Sequence, residues 1–166
     1  MSEGVFTVPD AVAMRALARD IVAPALGAGD LVLLTGGLGA GKTTFTQGLG
    51  EALGVRGPIA SPTFIIARTH PSEVGGPWLI HVDAYRLGSL AELDDLDLDA
   101  TLDDAVTVVE WGEGAAEALS DDRLHITIDR PHGGELDMDN PSGGDRTVTI
   151  TSHGARWYGV GFGAAA

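Results

Sequence analysis

The chain has 166 residues, 44% of them hydrophobic, with no cysteine and a formal net charge of −14 at pH 7. This length and apolar content are typical of one globular domain and exclude a disordered chain. The absence of cysteine excludes disulfides, thiolate metal sites and thiol nucleophiles. Because so acidic a protein repels phosphate backbones, we expect no unaided binding to nucleic acid.

The N-terminal sequence predicts neither export nor membrane insertion. MSEGVFTVPD lacks the basic and apolar regions of a signal peptide, and no apolar run approaches the ~20 residues that cross a bilayer. We therefore expect a cytoplasmic protein without membrane contact. With no internal repeat or linker, residues 1–155 are predicted to form one domain, followed by a frayed tail at 156–166.

The first third of the chain predicts a strand, a helix and a second strand. VFTV (5–8) is a short edge strand, and Pro9 and Asp10 suit the first turn of a helix. DLVLLTG (30–36) is a continuous apolar run, as in a strand buried on both faces. One face of the helix is predicted to be buried, formed by residues at helical spacing: Met14, Leu17, Ala18, Ile21 and Val22.

The rest of the chain alternates between apolar runs and loops. Residues 43–53 predict a helix stopped by Gly54, and 71–77 predict a turn. The acidic stretch 92–104 predicts short solvated helices, and 112–119 predicts the start of a further helix. Strands are predicted at 63–69, 78–86, 105–111, 123–129 and 146–151. The last two alternate like antiparallel strands and are joined by a loop at 130–145.

The stretch GGLGAGKT, residues 36–43, fits the P-loop pattern G-x-x-x-x-G-K-[ST] and lies between an apolar strand and a helix. Its glycines allow backbone N–H groups to surround a phosphate at the positive end of the following helix. Lys42, the only lysine in the chain, is placed to reach the β- and γ-phosphates, and the Thr43 hydroxyl to bind Mg²⁺. The predicted nucleotide contacts are Gly37, Leu38, Gly39, Ala40, Gly41, Lys42, Thr43 and Thr44. The fold class is therefore α/β: a single-domain P-loop NTPase with a mixed sheet, flanking helices and antiparallel C-terminal strands.

Two acidic residues end predicted strands. Asp83 follows WLIHV and Glu110 follows VTVV. A P-loop enzyme needs an acid at such a position to hold the magnesium shell, and a second can orient the attacking water. Asp83, Glu110 and Lys42 are therefore the predicted catalytic residues. His81 is expected to be a hydrogen-bonded strand residue rather than a metal ligand.

The sequence favours ATP but leaves the reaction open. With its only lysine in the P-loop, the chain cannot contain the Asn-Lys-x-Asp motif that reads guanine. A small-molecule kinase is an alternative, although its basic lid is not evident, because the loop at 130–145 is acidic with only Arg130 and Arg146 at its edges. A nucleotide-dependent interaction module that does not hydrolyse ATP is a third possibility.

Four motifs in order resemble the TsaE family of small bacterial P-loop ATPases: GGLGAGKTTFTQGL (36–49), SPTF (61–64), HVDAYRL (81–87) and VVEWGE (108–113). The resemblance implies a mixed sheet with helices on both sides. It also implies ATP hydrolysis coupled to the TsaB and TsaD proteins, which make threonylcarbamoyladenosine in tRNA.

The resemblance also implies roles for individual residues. Lys42 and Thr43 resemble the family's phosphate and Mg²⁺ contacts, and Glu110 its second metal-associated acid. Asp83 resembles an acid that is needed for hydrolysis. Trp111 and Glu113 would lie beside the nucleotide, Arg146 would approach it, and Ser61 and Thr63 would respond to the γ-phosphate. The chain departs from the family pattern at Gly37, where an acid is usual.

Overall fold

A computed structural model describes residues 3–36, 41–55, 59, 67–83, 104–110, 122–129 and 145–162. The strands are β1 (Glu3–Val8), β2 (Leu31–Gly36), β3 (Ala67–His70), β4 (Trp78–Asp83), β5 (Ala105–Glu110), β6 (Arg123–Asp129) and β7 (Arg146–His153). The helices are α1 (Ala11–Leu17) and α2 (Lys42–Leu53). A π-helical turn (Ala18–Val22) and a 3₁₀ turn (Ala23–Ala25) extend α1, and a second 3₁₀ turn (Ala155–Trp157) follows β7.

The seven strands form one mixed sheet in the order β1-β7-β6-β2-β5-β4-β3. The centre is parallel, since β2 pairs with β5 and β6, and β5 pairs with β4. Antiparallel pairs lie on both sides, with β1 and β7 at one end and β3 at the other. This confirms the predicted α/β class, the edge position of β1 and the antiparallel C-terminal strands.

Helices α1 and α2 pack together on one face of the sheet. Asp10 caps α1 by accepting a hydrogen bond from the Ala13 N–H at 2.8 Å. The two helices approach closely at Gly48, where an added side chain would meet the Arg15 carbonyl. Beneath them, side chains from six strands form the main core, including Phe6, Val32, Leu34, Leu79, Val108, Ile126 and Ile150. The opposite face of β2 is buried as well, as predicted for a central strand.

Strand direction brings several predicted site residues to one edge. Parallel strands end at the same edge of a sheet, so the last residues of β2, β4 and β5 lie together: Gly36, Asp83 and Glu110. Strand β7 runs the other way, so its first residue, Arg146, lies at this edge too. We call it the carboxyl edge, and the opposite one, where β2 begins, the amino edge.

Two expectations about the packing are wrong. Ile21, predicted to be buried, is 42% exposed, because the π-helical turn at 18–22 rotates the following residues relative to α1. The prediction of a frayed tail is wrong for residues 156–162. Trp157 and Phe162 are buried there, with ring centroids 6.2 Å apart. Isolated aromatic residues among glycines carry no periodicity that would predict this packing.

The predictions for 92–103, 112–119 and 130–144 lie outside the described residues, as does the first half of the strand predicted at 63–69. The described half forms β3. Within the described ranges, no helix has the length and apolar character needed to cross a bilayer.

Candidate nucleotide-binding site

Lys42 is the first residue of α2 and is almost completely buried. Its ammonium donates a hydrogen bond to the carbonyl of Gly36 at 2.7 Å, which ties the start of the helix to the end of β2. Gly41, the residue before it, has a φ of 116°, which side chains rarely adopt, and an added Cβ would lie 3.1 Å from the Met14 side chain. The sequence therefore needs glycine here for both conformation and space.

The first turn of α2 carries the hydroxyl predicted to bind magnesium. Thr43 and Thr44 are both half-buried, and Phe45 beneath them anchors the helix in the core. The first backbone N–H groups of a helix have no partner within it, so this end attracts anions. The described part of the glycine-rich segment thus leads directly into a helix N-terminus.

Glu110 is a buried carboxylate at the end of β5, with 4% of its surface exposed. It lies beside Leu34 in the register of β2, on the face that the helices cover. Its Oε2 is 2.8 Å from Nε2 of His81, which has no exposed surface. Its other oxygen, Oε1, makes no hydrogen bond to any side chain in the described ranges.

The remaining described candidates are Asp83 and Arg146. Asp83 lies at the register position directly beside Glu110, so the two strand-end acids are neighbours in the sheet. Arg146 is buried on the face that carries Val148 and Ile150. It lies at the carboxyl edge, but β7 is separated from β2 by β6.

Several predicted contacts lie outside the described residues: Gly37, Leu38, Gly39, Ala40, Ser61, Thr63, Trp111 and Glu113. Their proposed roles stay predictions. The predicted site residues that the structure describes are therefore Gly41, Lys42, Thr43 and Thr44 in one segment and Asp83, Glu110 and Arg146 on three strands.

The described groups fit a magnesium ion that is only partly held by protein. Mg²⁺ prefers oxygen ligands and usually keeps several waters or phosphate oxygens, so one hydroxyl and one carboxylate suffice. A buried carboxylate needs nearby positive charge or hydrogen-bond donors, and Glu110 contacts a single donor, His81, within the described ranges. Within the described ranges, no cluster of three or more metal-ligating side chains is present, so a metal caged entirely by those residues is not what this site offers.

The contact between His81 and Glu110 was not predicted. The sequence indicates that His81 is a hydrogen-bonded strand residue, which is confirmed, but does not name its partner. His81 lies two residues before Asp83, and alternate residues of a strand share a face. The sequence therefore indicates that His81 lies on the same face of its strand as that acid. Only the register between β4 and β5 shows which acid the imidazole reaches.

The described features are consistent with the P-loop NTPase class. They are an apolar parallel strand, a positive-φ glycine, a buried lysine at the start of a helix and an acid at the end of the neighbouring strand. A solved structure supports this assignment. The crystal structure of Bacillus subtilis YdiB matches with a TM-score of 0.70 and 29% identity, covering 95% of this chain and 90% of that one.

Sequence comparison gives the family. The model of the threonylcarbamoyl adenosine biosynthesis protein TsaE matches residues 8–136, so the chain belongs to the TsaE family. The tRNA threonylcarbamoyladenosine biosynthesis protein TsaE of Streptomyces coelicolor is 59% identical over 145 residues, which cover 87% of this chain and 93% of that protein. The protein of the same name from Bacillus subtilis is 38% identical over 130 residues, which cover 78% of this chain and 73% of that protein.

Proposed function

We propose that this protein is the ATP-binding and ATP-hydrolysing component of the bacterial system that makes threonylcarbamoyladenosine in tRNA, and that it acts on or resets a TsaB–TsaD complex. The family match and the names of its relatives support the pathway. The geometry of the carboxyl edge supports the activity, through the groups that P-loop enzymes use.

The observation that carries the proposal is the position of Glu110 relative to Lys42. A buried acid and a buried ammonium come from neighbouring elements at one edge of the sheet and on one face of it. Adjacent strands are about 4.8 Å apart. Strand β5 therefore holds the acid next to β2, the strand to which Lys42 is hydrogen-bonded through Gly36. Buried charged groups are costly to maintain, and a nucleotide with its metal would use both of these.

The residues divide the work as follows. Lys42 holds the β- and γ-phosphates, together with the N–H groups at the start of α2. Thr43 and Glu110 hold Mg²⁺, which when bound would neutralise charge on the phosphates. Asp83, at the position beside Glu110, orients the attacking water as a base. The nucleotide is ATP, since no second lysine is available for a guanine-reading motif.

The experiment is phosphate release from Mg·ATP by the purified protein, first alone and then with TsaB and TsaD of the same source. We expect slow phosphate release by the protein alone and faster release with the partners. An enzyme turns over poorly until all the groups of its active site are in position, and partner binding can bring them there. Asp83→Asn should bind ATP like the parent protein and lose most of the release.

The two alternatives give different outcomes. A small-molecule kinase would form ADP only when a hydroxylated acceptor is added. An interaction module would bind ATP tightly and release no phosphate in any mixture. Either result would replace the hydrolase assignment, and unchanged release by Asp83→Asn would remove that residue from the mechanism.

A further inference from the structure

His81 lies inside the sheet-helix layer next to the candidate site, with no exposed surface. The register places it beside Arg68 of β3 and Val108 of β5, with Leu79 on the same face one row further from the carboxyl edge. From there the imidazole reaches diagonally to Glu110, with 2.8 Å between Nε2 and Oε2. Nδ1 is buried and has no hydrogen-bond partner among the described residues.

This environment is a poor one for a histidine that serves stability alone. A buried nitrogen without a partner loses its hydration and gains nothing in return. A leucine or phenylalanine would fill the same space without that cost. Among the described residues, the imidazole makes one hydrogen bond, to Glu110, so the contribution of His81 is directed at that carboxylate.

We propose that His81 is a positioning residue for Glu110 in the binding of magnesium nucleotide, an inference that rests on the proposed function. An ionised carboxylate can only accept hydrogen bonds, so Nε2 carries the hydrogen and donates a hydrogen bond to Oε2. This bond fixes the rotation of the carboxylate and leaves Oε1 for the metal shell. Residues behind a metal ligand orient it in the same way in other metalloproteins, and their loss weakens metal binding.

The test is the affinity for ADP with excess EDTA and again with excess Mg²⁺, measured by titration calorimetry on the full chain. The ratio of the two affinities, the magnesium gain, reports on the metal shell and requires no turnover. His81→Leu removes the donor and His81→Gln restores one at a similar distance from the backbone. His125→Leu is the matched control, because His125 also makes one side-chain hydrogen bond, 3.0 Å to the Thr35 hydroxyl. It pairs with Leu33, on the sheet face away from the helices.

We expect His81→Leu to bind ADP in EDTA like the parent protein and to lose about ten-fold of the magnesium gain, the usual scale for a residue behind a metal ligand. His81→Gln should recover most of that loss, and His125→Leu should keep the full gain. If His81→Leu does not fold, His81→Asn replaces it, because the amide of asparagine is too short to reach Oε2 whereas that of glutamine is not.

Failure of this inference differs from failure of the proposed function. If the parent protein binds ADP with a magnesium gain and His81→Leu keeps that gain, Glu110 needs no positioning by His81 and only this inference is overturned. A glutamine variant as impaired as leucine would also overturn it, because shape rather than the donor would then matter. No ADP binding or no magnesium gain in the parent protein would overturn the proposed site, and this inference with it.

Discussion

Two buried carboxylates lie at opposite edges of the sheet and have opposite surroundings. Asp30 stands at the amino edge just before β2, and Glu110 at the carboxyl edge; they are 6% and 4% exposed. Asp30 Oδ2 accepts hydrogen bonds from the Gly27 N–H at 2.7 Å and from Arg156 at 3.1 Å. In the part of the chain that the structure describes, Glu110 contacts one side chain, His81, whose other ring nitrogen has no hydrogen-bond partner there.

The amino edge is a structural clamp. Besides Asp30, the Arg156 guanidinium contacts the Ala25 carbonyl at 3.0 Å and lies 4.3 Å from the centre of the Trp157 ring. These contacts hold the segment after β7 against the start of β2, and Phe162 continues the packing against Gly4 of β1. The charged side chains of this clamp, Asp30 and Arg156, are paired with each other, so the clamp contributes to folding.

Among the described residues, the buried acid of the carboxyl edge is not paired with an arginine or a lysine. Glu110 ends β5, the strand next to β2, and His81 is the side chain that contacts it in the described ranges. A buried carboxylate without a permanently charged partner costs stability, and such groups concentrate at functional sites. The comparison teaches that burial alone does not distinguish a structural acid from a functional one, whereas the charge of its described partner does.

The largest expected effect breaks the clamp. Trp157→Ala removes a ring that is 2% exposed, and such truncations cost about 3–5 kcal/mol of unfolding free energy. Urea unfolding measures this loss. Tyr158→Ala is the control, because that neighbouring ring is 73% exposed and its loss should cost less than about 0.5 kcal/mol. Equal losses for the two variants would mean that the tail is not part of the folded core.

The second-largest expected effect is on ATP binding at the carboxyl edge. Lys42→Ala removes the only ammonium side chain, and losing one partner of a buried charge contact should weaken ATP binding by about 100-fold or more. Calorimetric titration with ATP measures this change. Arg19→Ala is the control, since that cation is exposed and paired with Asp20. ATP affinity that survives Lys42→Ala would remove the lysine from the site.

The sequence predicts most of the framework because the central strands are continuous apolar runs and the glycine pattern marks where β2 turns into α2. It also predicts both strand-end acids. It does not predict the clamp, because Trp157 and Phe162 lack a periodic pattern, nor the outward turn of Ile21, because a π-helical turn has no clear sequence signal. The contact between His81 and Glu110 depends on register, which side-chain alternation constrains only to the choice of face.

Thermal unfolding of Asp30→Asn and Glu110→Gln, each alone, with ADP in EDTA and with Mg·ADP, tests the contrast between the two edges most directly. For Asp30→Asn we expect a midpoint lowered by about 2–4 °C for each kcal/mol lost, with the full rise on adding Mg·ADP. For Glu110→Gln we expect an almost unchanged midpoint without nucleotide and loss of the additional rise that magnesium gives over ADP in EDTA. A Glu110→Gln protein that is destabilised like Asp30→Asn and keeps its magnesium response would contradict the account, because Glu110 would then be a structural acid.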